Sequence, residues 1–154
     1  IRLSDGTVLF TPGAFDTAGR VDKADYYMAS FDAGMKYRGF ALEGEYYTRW
    51  VENFDTDGEV PEDDLFDHGF QVQVSHMLMP RQLQGYVAGS YIFGEYGNPW
   101  DLALGVNYYP LKQRLLRWNT ELLYLDDSPV GYSSVPFAVG GDGPVFYTNL
   151  ELYF

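Results

Sequence analysis

The chain has 154 residues, of which 18% are aromatic (14 Tyr and 11 Phe among them), and its mean hydropathy is -0.25. A formal net charge of -12 with ten Lys and Arg excludes an electrostatic nucleic-acid binder, because phosphate binding needs clustered cations. The lack of cysteine excludes a disulfide framework and thiolate metal sites, and no run approaches the roughly 20 consecutive apolar residues of a membrane-spanning helix. Opening at Ile1 without Met or a leader, the sequence reads as a mature or truncated product.

In chain order, Ile1-Arg2-Leu3 reads as a strand stub entering a long connection over 4–23. Seven segments with period-two alternation follow, each near the ~9 to 11 residues that a tilted membrane strand needs. In the first, Ala29, Phe31, Ala33, Met35 and Tyr37 oppose Ser30, Asp32, Gly34 and Lys36; in the second, Phe40, Leu42, Gly44, Tyr46 and Trp50 oppose Glu43, Glu45, Tyr47 and Arg49. The third sets Phe70, Val72, Val74, His76 and Leu78 against Gln71, Gln73, Ser75 and Met77. The fourth, about Leu83 to Phe93, alternates more weakly, with Val87, Tyr91 and Phe93 against Gln84, Tyr86, Ala88 and Ser90. In the fifth and sixth, Leu102, Leu104, Val106 and Tyr108, then Leu116, Trp118, Thr120, Leu122 and Tyr124, form greasy faces opposite Asn107, Tyr109, Arg117, Asn119 and Glu121. The seventh places Phe146, Thr148, Leu150, Leu152 and Phe154 opposite Tyr147, Asn149, Glu151 and Tyr153. Helical spacing fits none of these.

Connection length is a second signal. Short connections fall at Tyr37-Arg38-Gly39, Met79-Pro80-Arg81-Gln82 and Pro110-Leu111-Lys112-Gln113, and long acidic ones at 4–23, 52–68 and 126–143, with Gly94 to Pro99 between. Outer-membrane barrels have short periplasmic turns and long extracellular loops, and a periplasmic C-terminus puts every connection on the side its length requires. The fold class expected is therefore all-β, a transmembrane antiparallel up-and-down β-barrel, of which residues 1–154 form one C-terminal portion of about seven to eight strands. Trp50, Trp100 and Tyr124 toward the loops, and Tyr37, Tyr108 and Phe154 toward the turns, would form interfacial girdles. Phe154 would also be the terminal aromatic assembly signal of such barrels.

The segments Gly34 to Tyr47 (GMKYRGFALEGEYY), Leu104 to Pro110 (LGVNYYP) and Thr148 to Phe154 (TNLELYF) resemble porins of the phosphate-selective porin O and P family, over most of 24–154. The resemblance implies a leader peptide, a barrel of about sixteen strands, homotrimers, a bacterial outer-membrane location and passive passage of small hydrophilic solutes or ions. One departure concerns selectivity, since that family's anion preference rests on basic pore residues and this chain lacks a basic ladder.

The residues expected to face the lumen are Asp32, Lys36, Glu43, Glu45, Arg49, Gln71, Gln73, Arg117, Asn119, Glu121 and Glu151, a set in which carboxylates exceed cations and bias permeation toward cations. Asn53, Asp55, Asp57 and Asp64, with Gly58 at the sixth place, approach the spacing of a calcium loop; the competing expectation is a solvated extracellular loop, because strands flank it and the terminal bidentate Glu is replaced. Apart from that calcium, no cofactor is expected. Glu43 and Glu45 share a face, as an acid and base pair must, yet nothing else reactive converges on them, and Ser75 points away from the face of His68 and His76. No enzyme is expected. The competing functions are a passive porin, a structural or adhesive barrel anchoring acidic surface loops, and a soluble β-barrel with its greasy faces inward.

Overall fold

The computed structural model describes residues 1–15, 19–60, 62–130 and 138–153; Phe154 and parts of the connections expected at 4–23, 52–68 and 126–143 lie outside the described residues. The elements are β1 (Val21–Tyr37), β2 (Phe40–Thr56), β3 (Asp64–Met79), β4 (Leu83–Phe93), β5 (Trp100–Tyr108), β6 (Leu116–Ser128) and β7 (Gly141–Leu152). They form one antiparallel sheet whose spatial order is the chain order, and no helix occurs among the described residues. The all-β up-and-down arrangement expected from the alternation is therefore present. The sheet is not closed, because β1 is bonded only to β2 and β7 only to β6.

The two faces reverse the partition of a water-soluble sheet. Phe31, Leu104, Phe146 and Leu150 are 60–72% exposed, while Ser75, Asn107, Asn119 and Glu121 on the opposite face are at most 9% exposed. Cavities on the polar face are lined jointly by strands as far apart as β3 and β6, so that face is the hollow side of the curled sheet. Apolar surface left in water forgoes about 25 cal/mol for each Å² that could be removed from it. A continuous exposed apolar face is thus a surface awaiting a non-aqueous neighbour.

Strands β1, β2 and β3 are longer than the alternation indicates, at 17, 17 and 16 residues. Much of 4–23, 52–68 and 126–143 that reads as loop is strand at its edges, leaving connections of 57–63 between β2 and β3 and 129–140 between β6 and β7. The cause is local. Asn53 and Asp127 adopt left-handed φ of 55°, and the register of β1 against β2 shifts between Lys23 and Asp25. Such bulges break the period of two and turn the following residues to the other face. Conversely, the β5–β6 connection is longer than its four expected residues, spanning 109–115. The stub Ile1-Arg2-Leu3 adds no eighth strand: Arg2 bridges Val8 within its own segment, and Leu3 turns into a buried cluster.

The β1–β2 hairpin is a two-residue turn with Arg38 and Gly39 both at positive φ, the twist such tight hairpins require. Two strand glycines serve another purpose. Tyr47 lies over its cross-strand partner Gly69, and Tyr86 over its partner Gly105; an added methyl would come within 2.6 Å and 2.1 Å of those side chains. Gly105→Ala is therefore expected to displace the Tyr86 ring and lower stability by about 1 to 3 kcal/mol, the usual cost of overpacking, read as a lower urea midpoint.

Candidate functional site: the polar hollow face

Cross-strand partners share a face, so the register arranges the hollow side in rows across the strands. One row runs Asp32, Glu45, Gln71, Ser90, Asp101; the next Gly34, Glu43, Gln73, Ala88, Ala103; the next Ser75, Tyr86, Gly105, Glu121, Tyr147; and nearer the short turns come Gln84, Asn107, Asn119, Asn149. Arg117 opposite Glu151 completes the series, and Lys36 and Arg49 lie on the same side of β1 and β2. All eleven residues expected to line a lumen thus stand on the hollow face.

Apart from Arg117 Nε, which is buried without a partner, the polar side-chain atoms buried on this face among the described residues are joined into networks, as burial away from bulk water requires. Tyr86 donates to Glu121, whose carboxylate also takes the Tyr147 hydroxyl. Asn119 Nδ2 donates to the Tyr86 hydroxyl at 2.8 Å and to Asn107 Oδ1 at 3.0 Å; Asn107 Nδ2 donates to Gln84 Oε1 at 3.2 Å, and Gln84 Nε2 to Ser75 Oγ at 3.0 Å. The chain of bonds crosses β3 to β7. Neighbouring strands are also tied by Ser90 donating to Asp101, Arg117 paired with Glu151, and Lys36 Nζ 2.7 Å from Glu43. Asp32 and Glu45, by contrast, face each other as like charges, an arrangement that favours attraction of a mobile cation. With Glu43, Gln71 and Gln73 they line a cavity of about 290 Å³.

The loop end of the hollow is covered from within the chain. Leu3, Leu9 and Phe15 pack on Val21, Val51 and Leu65 of β1, β2 and β3, with Phe54 and Tyr96 against the cluster; Leu9 and Val51 are wholly buried. Arg49 clamps this segment, pairing with Asp67 and donating from Nη1 to the Arg2 carbonyl at 2.7 Å. Ser4 Oγ accepts from Tyr96 N at 3.1 Å, and the space beside Gly6 is filled by Val139 and Pro129. The first residues therefore span from β2 and β3 to the β4–β5 and β6–β7 connections. Residues 3–15, at the start of the long acidic connection expected at 4–23, form a packed cap.

Comparison with protein-family models, with curated proteins and with solved structures finds no match.

The calcium-loop spacing does not become a ligand cage. Asn53 sits at a bulge within β2 and donates to Asp25 at 2.9 Å, Asp55 pairs with Lys23, Asp57 accepts from Arg20 N at 2.6 Å, and Asp64 begins β3. Among the described residues no three His, Asp or Glu side chains gather to hold a metal. His68 is on the exposed face, stacked on Phe93 at 4.7 Å and hydrogen-bonded to the Tyr46 hydroxyl at 3.2 Å. The residues missed by site reasoning are Tyr86, Tyr147, Asn107, Gln84, Asp67 and Asp101. Parity along β4, β5, β6 and β7 was a signal available for most of them, since each shares a row with an expected residue.

Arg49→Ala is expected to leave the buried Asp67 carboxylate unpaired and cost about 3 kcal/mol, with faster limited trypsinolysis inside residues 1–23 as the cap loosens. In the β4–β5 connection, burial raises the Glu95 carboxyl above its usual range, against an opposing Phe66 backbone N–H and with help from Glu62, Asp67 and Asp64. A carboxyl raised on folding stabilises while protonated, and that contribution is lost as pH rises through its folded pKa. Glu95→Gln should accordingly be more stable than the parent at neutral pH, the difference closing in acid; equal urea midpoints at neutral pH would contradict this.

Proposed function

We propose that this chain forms part of the wall of an outer-membrane β-barrel through which small hydrophilic solutes or ions diffuse passively, with no catalytic step. The observation that carries the proposal is the reversed partition, an exposed apolar face backed by a hollow polar one. Lipid suits the first and water the second. Dimensions agree: the ten-residue interval from Phe40 to Trp50 spans roughly 33 Å along the strand at ~3.3 Å per residue, or about 23 Å of depth at a tilt near 45°, close to the apolar band of membrane barrels.

Aromatics bound that interval. Toward the loops, Trp50 lies 5.1 Å from Phe66, Phe66 5.5 Å from His68 and Trp100 5.5 Å from Tyr124; toward the turns stand Tyr37, Phe40, Tyr108 and Trp118. Amphipathic rings favour the depth where headgroups meet hydrocarbon. The resemblance to porins extends the proposal to a homotrimer. Asp32, Glu45 and Asp101, in one row, would bias passage toward cations.

A second function, a structural barrel anchoring acidic surface loops, is favoured by the cap of residues 1–15 across the loop end. Planar-bilayer recording separates the two. Steady single-channel steps, with a reversal potential in a salt gradient of the sign for cations, are expected, and Asp32→Asn with Glu45→Gln should move that potential toward zero. Silence from folded, inserted protein would overturn the channel and leave the anchor.

A further inference from the structure

Fixed charge is distributed unevenly along the strands. At the end carrying the short connections stand six of the ten Lys and Arg residues: Lys36, Arg38, Arg81, Lys112, Arg114 and Arg117. Of the 22 carboxylates, Glu43, Glu121 and Glu151 lie toward that end among the described residues; Glu43 and Glu151 are held in ion pairs with Lys36 and Arg117, and Glu121 is 9% exposed beneath the Tyr86 hydroxyl that donates to it. Arg38, Arg81, Lys112 and Arg114 pair with no carboxylate among the described residues. These cations are not confined to the outer rim. Arg114, from the β5–β6 connection, lines the same cavity of about 340 Å³ as Lys36 and Arg38 of the β1–β2 hairpin, and with Arg117 it borders a neighbouring one.

The opposite end has the reverse sign. Asp32, Glu45 and Asp101 share one row of the hollow, and the connections beyond carry Asp57, Glu59, Glu62, Asp63 and Glu95. The cations there, Arg20, Lys23 and Arg49, are each within an ion pair, and Arg2 donates to a backbone carbonyl.

We propose that this reversal of sign along the hollow makes the channel a current rectifier, conducting better when the loop side is positive. The proposal rests on the channel function above and adds a direction to it. A carboxylate-lined mouth gathers cations and a cation-lined mouth gathers anions. Voltage positive on the loop side drives cations inward from the acidic end and anions inward from the basic end, so both accumulate between the mouths. The opposite voltage draws both out and depletes the same region. The effect requires a screening length comparable with the pore, about 10 Å at 0.1 M salt and about 3 Å at 1 M.

The test is the current–voltage curve of single channels in 0.1 M and 1 M KCl, with insertion direction scored by one-sided addition of a bulky thiol reagent to Glu62→Cys. At 0.1 M the conductance with the loop side positive should exceed that at the opposite voltage by about twofold, and the ratio should approach one at 1 M, where charge is screened. Arg38→Gln combined with Arg114→Gln should remove most of the asymmetry at 0.1 M; the salt dependence of the parent tests the same point without any variant. Symmetric steps at 0.1 M, or asymmetry of the opposite sign, overturn rectification while the channel function stands. Absence of steps from folded protein overturns the channel, and rectification with it.

Discussion

Period-two alternation across a hydrogen-bonded sheet is the constraint on which the other features depend. Because each strand shows successive residues to opposite faces, a register that aligns Asp32 with Glu45 and Gln71 must also align Phe31 with Tyr46 and Phe70 on the other side. Between the two aromatic levels the apolar face of β1 to β7 therefore carries no carboxylate, and a slip of one residue in any pair would bring carboxylates onto it. The transverse bonds hold the register. Each of Lys36–Glu43, Arg49–Asp67, Ser90–Asp101, Tyr86–Glu121 and Arg117–Glu151 links two strands on the hollow side; Lys36–Glu43 is exposed, while at the other four water is partly excluded and a bond to a charged group contributes more than it does at an open surface.

The cap answers a second requirement. Strands β1, β2 and β3 continue beyond the aromatic level, and there the hollow face turns apolar, with Val21, Val51 and Leu65. Left open to water those side chains would gain nothing from folding; under Leu3, Leu9 and Phe15 they form the largest buried apolar cluster of the described residues. Two kinds of interior thus coexist on one face, a polar network along the middle and a small conventional core at the loop end. Arg49 and Asp67 stand at the boundary, each reaching both.

How much of this was legible in the sequence follows from the same physics. Wherever the alternation was unbroken, strands and faces could be read directly: β6 begins at Leu116 where its pattern does, with Glu121, Asn119 and Arg117 on the side expected of them, and even the weaker pattern from Leu83 to Phe93 coincides with β4. Wherever a bulge intervened, at Asn53 or Asp127, the pattern broke and the continuation of β2 or β6 resembled loop. The cap left no periodic trace at all. Its apolar residues are spaced by turns, and their partners Val51 and Leu65 are distant in sequence, so contact between them could be found only in three dimensions. The calcium-like spacing is set in a different context from the one it suggests, since ligand spacing presumes a compact loop and Asn53 and Asp55 are drawn out along a strand.

The two free edges carry a further geometric consequence. In an up-and-down antiparallel sheet, strands of odd number all run the same way, so β1 and β7 both descend from the loop end to the turn end. Bonding β1 directly to β7, within one chain or between copies arranged around an axis, would make that single seam parallel. A seam that keeps the antiparallel ladder instead needs an odd number of additional strands, the outermost two ascending. Every edge N–H and C=O on β1 and β7 that lacks such a partner would have to be satisfied by water, and hydrocarbon offers none, at a cost of several kcal/mol for each group. A wall of this kind is consequently compatible with lipid only when both edges are covered along the depth from Tyr37 to Tyr27 on β1 and from Leu152 to Phe146 on β7.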